Sequence, residues 1–309
     1  MRPRSALSFL FYCCSLRSRS TALFERRTGW SRREDVMRKF SFGAAVNFSC
    51  LSVLLVLTFI PFYMLIITSF KFREQIVHEF WFPALPLHIA NYGNAFLQIW
   101  PFIWNSALIT GGIIVCVLIN STLAGYAFAR FAFFGKSLLY YLILMLMMVP
   151  AFLLLIPQFI LFKNLGLLNT YWAQIFGPMA GASAMATMLI RTFFEGLSGS
   201  LLESAEVEGA GDLRIFAQIA VPLSVPIIST VAVINALLGW NNYVWPLVVT
   251  SGDKVKPIIL ALGSVHGSLD QVQGMQFAGF VISSVPLLLL FLFATRSFVS
   301  GLTAGAVKG

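Results

Sequence analysis

Charge is missing from long stretches of this chain, and that constrains the fold more than any motif does. No Asp, Glu, Lys or Arg occurs across 40–70, 80–129, 137–162, 164–190, 215–252 or 271–295, and the shortest gap holds 25 residues. About 20 apolar helical residues cross the hydrocarbon core of a bilayer, so every gap is long enough to span one. Only 11% of the 309 residues are charged and 58% are hydrophobic, against about 25% charged in a soluble domain. Ordinary soluble enzymes, disordered chains and coiled coils are excluded. Outer-membrane barrels alternate apolar and polar residues in short strands, whereas these runs are continuous. The spans must be helices, which satisfy their backbone polar groups within their own segment. The expected fold class is an all-α integral membrane protein with six transmembrane helices.

The second gap is too long for one span. Pro83, Pro86 and Pro101 break its first part, so that span is expected to begin near Phe102. Helices are expected at about 43–69, 102–126, 138–161, 171–191, 224–249 and 276–297. Lys and Arg orient them. With the N-terminus inside, sixteen fall on cytoplasmic segments: ten in residues 1–40, then Arg130, Lys136, Arg191, Arg214, Arg296 and Lys308. Five fall outside: Lys71, Arg73, Lys163, Lys254 and Lys256. Positive charge stays inside, which puts both termini in the cytoplasm.

The net charge of +9 is not a nucleic-acid signature, because residues 1–40 alone carry +7 of it. A basic tail beside an apolar span sets membrane orientation. Ala6–Cys14 looks like a signal peptide, but arginines follow it instead of a small-residue cleavage site. A start at Met37 fits better, with Arg38 and Lys39 flanking the first span, so 1–36 reads as a misassigned start. The domains expected are a basic cytoplasmic tail over 1–40 and a transmembrane domain over 41–309. Cys13, Cys14, Cys50 and Cys116 lack zinc-site or disulfide spacing and read as small apolar side chains in lipid or core.

Secondary transporters usually keep carboxylates or histidines inside the membrane to relay ions, and these spans hold none. They hold neutral amides instead: Asn47, Asn105, Asn120, Gln158, Gln174, Asn235, Asn241 and Asn242. Such groups suit hydrogen bonds between helices or a path for a neutral, hydroxyl-rich solute. Asn235, Trp240, Asn241, Asn242 and Tyr243, the last four in a block that continues to Trp245, are the candidates for lining that path. Gly135-Lys136-Ser137 imitates a phosphate loop, but the Gly needed five residues earlier is Arg130. His78, His88 and His266 are too scattered for a metal site, and no catalytic set is present. The driving energy is expected to come from elsewhere.

One loop differs from the rest. Between the fourth and fifth spans stand Glu195, Glu203, Glu206, Glu208 and Asp212, interleaved with Leu202, Ala205, Val207, Ile215, Phe216 and Ile219. Gly209 is a helix stop, Asp212 a cap for a second short helix, and Pro222 and Pro226 mark the turn into the next span. The pattern predicts a helix–turn–helix that is either a solvated surface pair or a docking element for a cytoplasmic protein.

Glu203-Ser204-Ala205, Gly209, Ile219 and Pro222 resemble the EAA loop of binding-protein-dependent ABC importer permeases. Gly239-Trp240-Asn241-Asn242-Tyr243-Val244-Trp245-Pro246-Leu247 is similar to the block after that loop in the carbohydrate-uptake branch. Arg130-Phe131 through Phe134-Gly135-Lys136 matches the short inner loop of the same subunits, and Gly301–Gly309 their ending. The resemblance runs from about Met37 to Gly309, with the coupling loop at about 192–223, and is closest to the six-span maltose-system type. It departs at Ser204 and Glu208, where Ala and Asp are usual, at Val221, where Leu is usual, and at Gly211, often a capping Ser. The resemblance implies a multi-pass inner-membrane permease within a heteromeric complex that imports a sugar or related polyol. Its partners would be a second permease subunit, two ATPase subunits and an extracytoplasmic solute-binding protein. ATP and Mg would bind the ATPases, leaving no cofactor in this chain. Glu203, Ser204, Ala205, Glu208, Gly209, Ala210 and Pro222 would form the ATPase-docking loop, with Glu203, Ala205 and Gly209 seated in the ATPase cleft.

Overall fold

The computed structural model describes residues 42–264 and 269–306. The expectations for 1–40, including the start at Met37, and for His266 and Val307-Lys308-Gly309, lie outside the described residues. All regular structure described is helical: α1 (Phe42–Ser69), α2 (Arg73–His78), α3 (Ala90–Arg130), α4 (Lys136–Met148), α5 (Ala151–Asn164), α6 (Tyr171–Glu195), α7 (Gly199–Val207), α8 (Asp212–Leu223), α9 (Val225–Trp240), α10 (Val244–Val249), α11 (Ile258–Ala261) and α12 (Leu269–Ala306). Among the described residues, four stretches are long and apolar enough to cross a membrane: Val46–Ser69, Ala90–Arg130, Tyr171–Glu195 and Gln273–Leu292. The pairs α4/α5 and α8/α9 bring the number to six if each bent pair is one span.

Prolines account for the departures from the expected spans. Pro101 does not end a helix: α3 runs through it for 41 residues. Proline is tolerated inside membrane helices, where neighbouring groups and local adjustments satisfy the freed carbonyl. Pro150 does break the expected 138–161 helix. It drives Val149 out of the helical region, to φ −77° and ψ 118°, as a proline does to the residue before it. The α4 and α5 axes then meet at 103°. The expected 224–249 helix stops at Trp240 and resumes at Val244. Between α8 and α9 the chain bends by 73°, at Ser224, flanked by Pro222 and Pro226. Phe216–Ala220 within α8 is a π-helical turn.

The chain forms two units, Met1–Phe62 and Tyr63–Gly309. The first contributes the earlier part of α1, where Phe59 and Phe62 lie 6.4 Å apart. In the second, α6 packs along α3, and Ile109, Ile113, Val117 and Tyr126 meet Ile175, Ala186, Ile190 and Phe194 in the largest core cluster, which Ala220, Ile227 and Val231 complete. Gly125 permits the close approach, since a Cβ there would stand 3.0 Å from the Ile190 side chain and 3.1 Å from the Arg191 backbone nitrogen. A second cluster joins Ala95 and Ile99 to Trp240, Ile258, Leu262, Met275 and Ala278. A third joins Phe162 and Ala173 to Trp245 and Val249.

Two of the span amides, Asn105 and Gln174, tie irregular backbone to helices. Asn105 donates to the Lys254 and Lys256 carbonyls at 3.2 and 2.9 Å and accepts from the Tyr171 hydroxyl at 2.6 Å. Gln174 donates to the Val255 carbonyl at 2.6 Å, and the Ser106 hydroxyl accepts from the Ile258 amide at 2.8 Å. Non-helical backbone at membrane depth persists only where protein satisfies its polar groups, and these side chains do so for 254–258. Asn47 and Asn120 are exposed.

Lys71 follows the same logic at the end of α1. Its side chain is fully buried, and its ammonium donates to the Glu79 and Phe80 carbonyls at 2.6 and 3.2 Å. Burial holds its pKa below the usual lysine value, with the Glu79 carboxylate pulling the other way. Asn91 donates to the Ser69 and Lys71 carbonyls, so the corner is pinned from two directions.

Candidate functional site

Two places bring the sequence-predicted residues together. One is the α7–α8 hairpin. Leu202, Ala205 and Ile215 are buried against one another, with Ala210 and Ile219 packed alongside, so the hairpin has a small apolar core of its own. Its turn is a Schellman cap. The Ala210 amide donates to the Ala205 carbonyl and the Gly209 amide to the Glu206 carbonyl, at 3.0 and 2.9 Å. Gly209 sits at φ +84°, a left-handed conformation that costs any other residue except Asn or Asp dearly.

Two expectations need correcting here. Asp212 is not the cap of α8: Gly211 holds that position, and Asp212 lies in the first turn, where its charge suits the positive end of the helix. Ala205 does not face outward. It is 9% exposed and faces the hairpin core, as helical spacing from Leu202 dictates. Glu203, Ser204, Val207, Glu208 and Gly209 form the exposed face, and Ala210 is half-buried. Val207 is 89% exposed and Leu213 81%, which leaves apolar surface beside the acids. Pro222 lies just before the bend into α9.

The sequence reading missed one contact of this hairpin. Arg130, the last residue of α3, donates from Nη2 to Glu206 Oε1 at 2.5 Å. The two residues are 76 apart, and no local pattern marks such a pair. Arg191, near the end of α6, stacks over the Tyr140 ring at 3.7 Å and pairs with Glu195 at 2.7 Å.

The second place lies where helices break. A cavity of about 350 Å3 is walled by α3 at Ile113, α6 at Pro178, Gly181 and Met185, and α9 at Val231, Asn235 and Gly239, with Ala151 and Asn242 completing it. Another of about 520 Å3 shares Ala151, Pro178, Gly181 and Asn242 with it, and adds Phe152, Gln158, Val244 and Trp245. The α4/α5 and α9/α10 breaks therefore both open onto this region. Its polar groups are neutral. Asn235 is 4% exposed, donates to the Val231 carbonyl at 2.8 Å, and has no partner for Oδ1. Gln158 donates to the Gly177 carbonyl at 2.5 Å.

Of the five residues expected to line a path, Asn235 and Asn242 border these cavities. Trp240 instead packs into the second core cluster at 8% exposure. Asn241 is exposed and donates back to the Leu237 carbonyl at 3.0 Å. Tyr243 is 49% exposed and lines neither cavity. One helical turn rotates the side chains in turn, so a run of polar and aromatic residues cannot all face one cavity. Trp245 donates to the Ala173 carbonyl at 2.9 Å and packs edge-on to Phe162. Gly177 leaves it room, because a Cβ there would overlap the indole.

Residues 121–303 match the family described as binding-protein-dependent transport system inner membrane component. The chain is 34% identical over 265 residues to the lactose transport system permease protein LacG of Rhizobium radiobacter, covering 85% of this chain and 96% of that one. It is 31% identical over 255 residues to the arabinooligosaccharides transport system permease protein AraQ of Halalkalibacterium halodurans, covering 81% and 91%. Its fold is similar to that in a crystal structure of a bacterial ABC transporter involved in the import of the acidic polysaccharide alginate. The TM-score is 0.72 at 21% identity, over 87% of this chain and 99% of that one.

Proposed function

This chain belongs to the family of binding-protein-dependent transport system inner membrane components, and we propose that it is a transmembrane permease subunit of an ATP-driven sugar importer. It is a transporter subunit and not an enzyme. It crosses the cytoplasmic membrane of a bacterium or archaeon six times, each bent pair counting as one span, with both termini in the cytoplasm. It works beside a second permease subunit, above two ATPases that bind ATP and Mg, and receives cargo from an extracytoplasmic binding protein.

The observation that carries this reading is the hairpin with a core of its own. Glu203, Ser204, Glu208 and Gly209 face out from it, while Ala205 and Ala210 hold its shape and Pro222 sets its exit into α9. A pore that conducts by itself needs no such element. A rigid hairpin seated in an ATPase cleft delivers the closure of the ATPases to the spans and rocks them between inward- and outward-open states. The cargo reading rests on the names of the relatives and on the cavities, whose polar lining is Gln158, Asn235 and Asn242 and includes no charged side chain. Neutral amides match the hydroxyls of a sugar or polyol.

The test is uptake in proteoliposomes that hold the assembled complex and a binding protein, with labelled lactose and arabinooligosaccharides as probes. Uptake that requires internal ATP, and that falls with Asn242→Leu while ATPase assembly is unchanged, is the expected result. Uptake down a gradient without ATP would make the chain a facilitator and refute the reading.

A further inference from the structure

The hairpin clasps the end of α3 from two sides. On one side Tyr126, one turn before Arg130, packs against Phe216 at 5.0 Å and Phe194 at 5.6 Å. Tyr126 is 6% exposed, and its hydroxyl has no hydrogen-bond partner. Apolar contact is non-directional, so this joint lets Phe216 turn or slide over the ring. On the other side Arg130 holds Glu206 of α7 through a charge-assisted hydrogen bond, which is directional. The aromatic joint is thus non-directional, and the ion pair is the directional contact between α3 and α7.

The pair adds little to folding stability, since its side chains are 25% and 47% exposed and exposed ion pairs are weak. Its value is in placement. We propose that Arg130 is a positioning residue of energy coupling, which through Glu206 makes α3 follow the hairpin when the hairpin moves. The route onward is packed without slack. Gly125 seats α3 against Ile190 and Arg191 of α6, and α6 carries Pro178 and Gly181 in the wall shared by both cavities. A displacement of α7 then reaches the cavity along α3 and α6, in addition to the path through the α8/α9 bend. This inference rests on the hairpin being the ATPase-docking element.

Gly181→Cys is a suitable reporter, because a Cβ there meets nothing within 4 Å. In the full complex, with the native cysteines replaced by serine, its rate of reaction with a water-soluble maleimide is measured without nucleotide and with Mg-ATP plus vanadate. With Arg130 present the two rates differ by about fivefold or more, the lower end of usual coupling strengths. Arg130→Gln and Glu206→Gln each abolish that difference while the ATPase stays bound and hydrolysing, and the exchange Arg130→Glu with Glu206→Arg restores it. Persistence of the difference in Arg130→Gln, or failure of the exchange to restore it, overturns the inference. If no ATPase assembles with the chain that retains Arg130 and Glu206, the docking reading fails first and takes the inference with it.

Discussion

Gly209 and Gly211 form a matched pair within the hairpin. A Cβ at either meets nothing within 4 Å, so space does not distinguish them. Backbone conformation does: φ is +84° at Gly209 and −74° at Gly211. A left-handed conformation costs an ordinary L-residue about 1–2 kcal/mol. Two capping hydrogen bonds, from the Gly209 and Ala210 amides, depend on that turn, so the strain cannot be relieved without opening it. A penalty of that size changes an equilibrium about 5- to 30-fold. Gly209→Ala should therefore weaken binding of the co-purifying ATPase to the permease in nanodiscs by about 5- to 30-fold, and Gly209→Val by more. Gly209→Asn should retain most of the affinity, since Asn tolerates the left-handed region. Gly211→Ala should cost less, because its φ is ordinary and only the preference for Gly over Ala at a helix N-cap is lost. Equal losses from alanine at the two positions, or no advantage of Asn over Val at 209, would refute the reasoning.

Two further outcomes follow from buried side chains. Gly177→Ala should destabilise the protein by about 1–3 kcal/mol through overpacking against Trp245. Much of that loss should vanish in a Trp245→Phe background, and a double-mutant cycle of thermal unfolding in detergent reads the coupling. Lys71 should make stability depend on pH at the alkaline end. Its folded pKa is lowered, so between that value and the ordinary lysine value the unfolded chain binds more protons at this site, and stability rises with pH. The unfolding temperature should therefore climb relative to Lys71→Met as pH approaches the ordinary lysine value. A constant difference would contradict it.

Much of this architecture was legible in the sequence because its causes are local. The charge-free run at 40–70 became α1, and the alternation of acids with Leu202, Ala205 and Ile215 became a hairpin stopped at Gly209. What was not legible depends on neighbours distant in the sequence. Pro101 and Pro150 are chemically the same residue, yet one lies inside a 41-residue helix and the other between two helices at 103°. Asn105 carries the same groups as Asn235, but both are spent, the amide on the Lys254 and Lys256 carbonyls and the oxygen on the Tyr171 hydroxyl, while Asn235 keeps a free acceptor by a cavity. Trp240 and Asn242 are neighbours in one polar–aromatic block, and the turn between them sends one to the core and the other to the cavity wall. The Arg130–Glu206 pair joins the short inner loop to the coupling hairpin, two motifs that the chain keeps 76 residues apart.

The central claim is that this chain is driven by an ATPase that its hairpin engages. Affinity purification in mild detergent, with partners identified by mass spectrometry, tests it most directly. The account predicts recovery of an ATPase together with a second permease subunit, and loss of the ATPase alone when Gly209 is replaced by Val. A folded, stable chain recovered without any ATPase would contradict it.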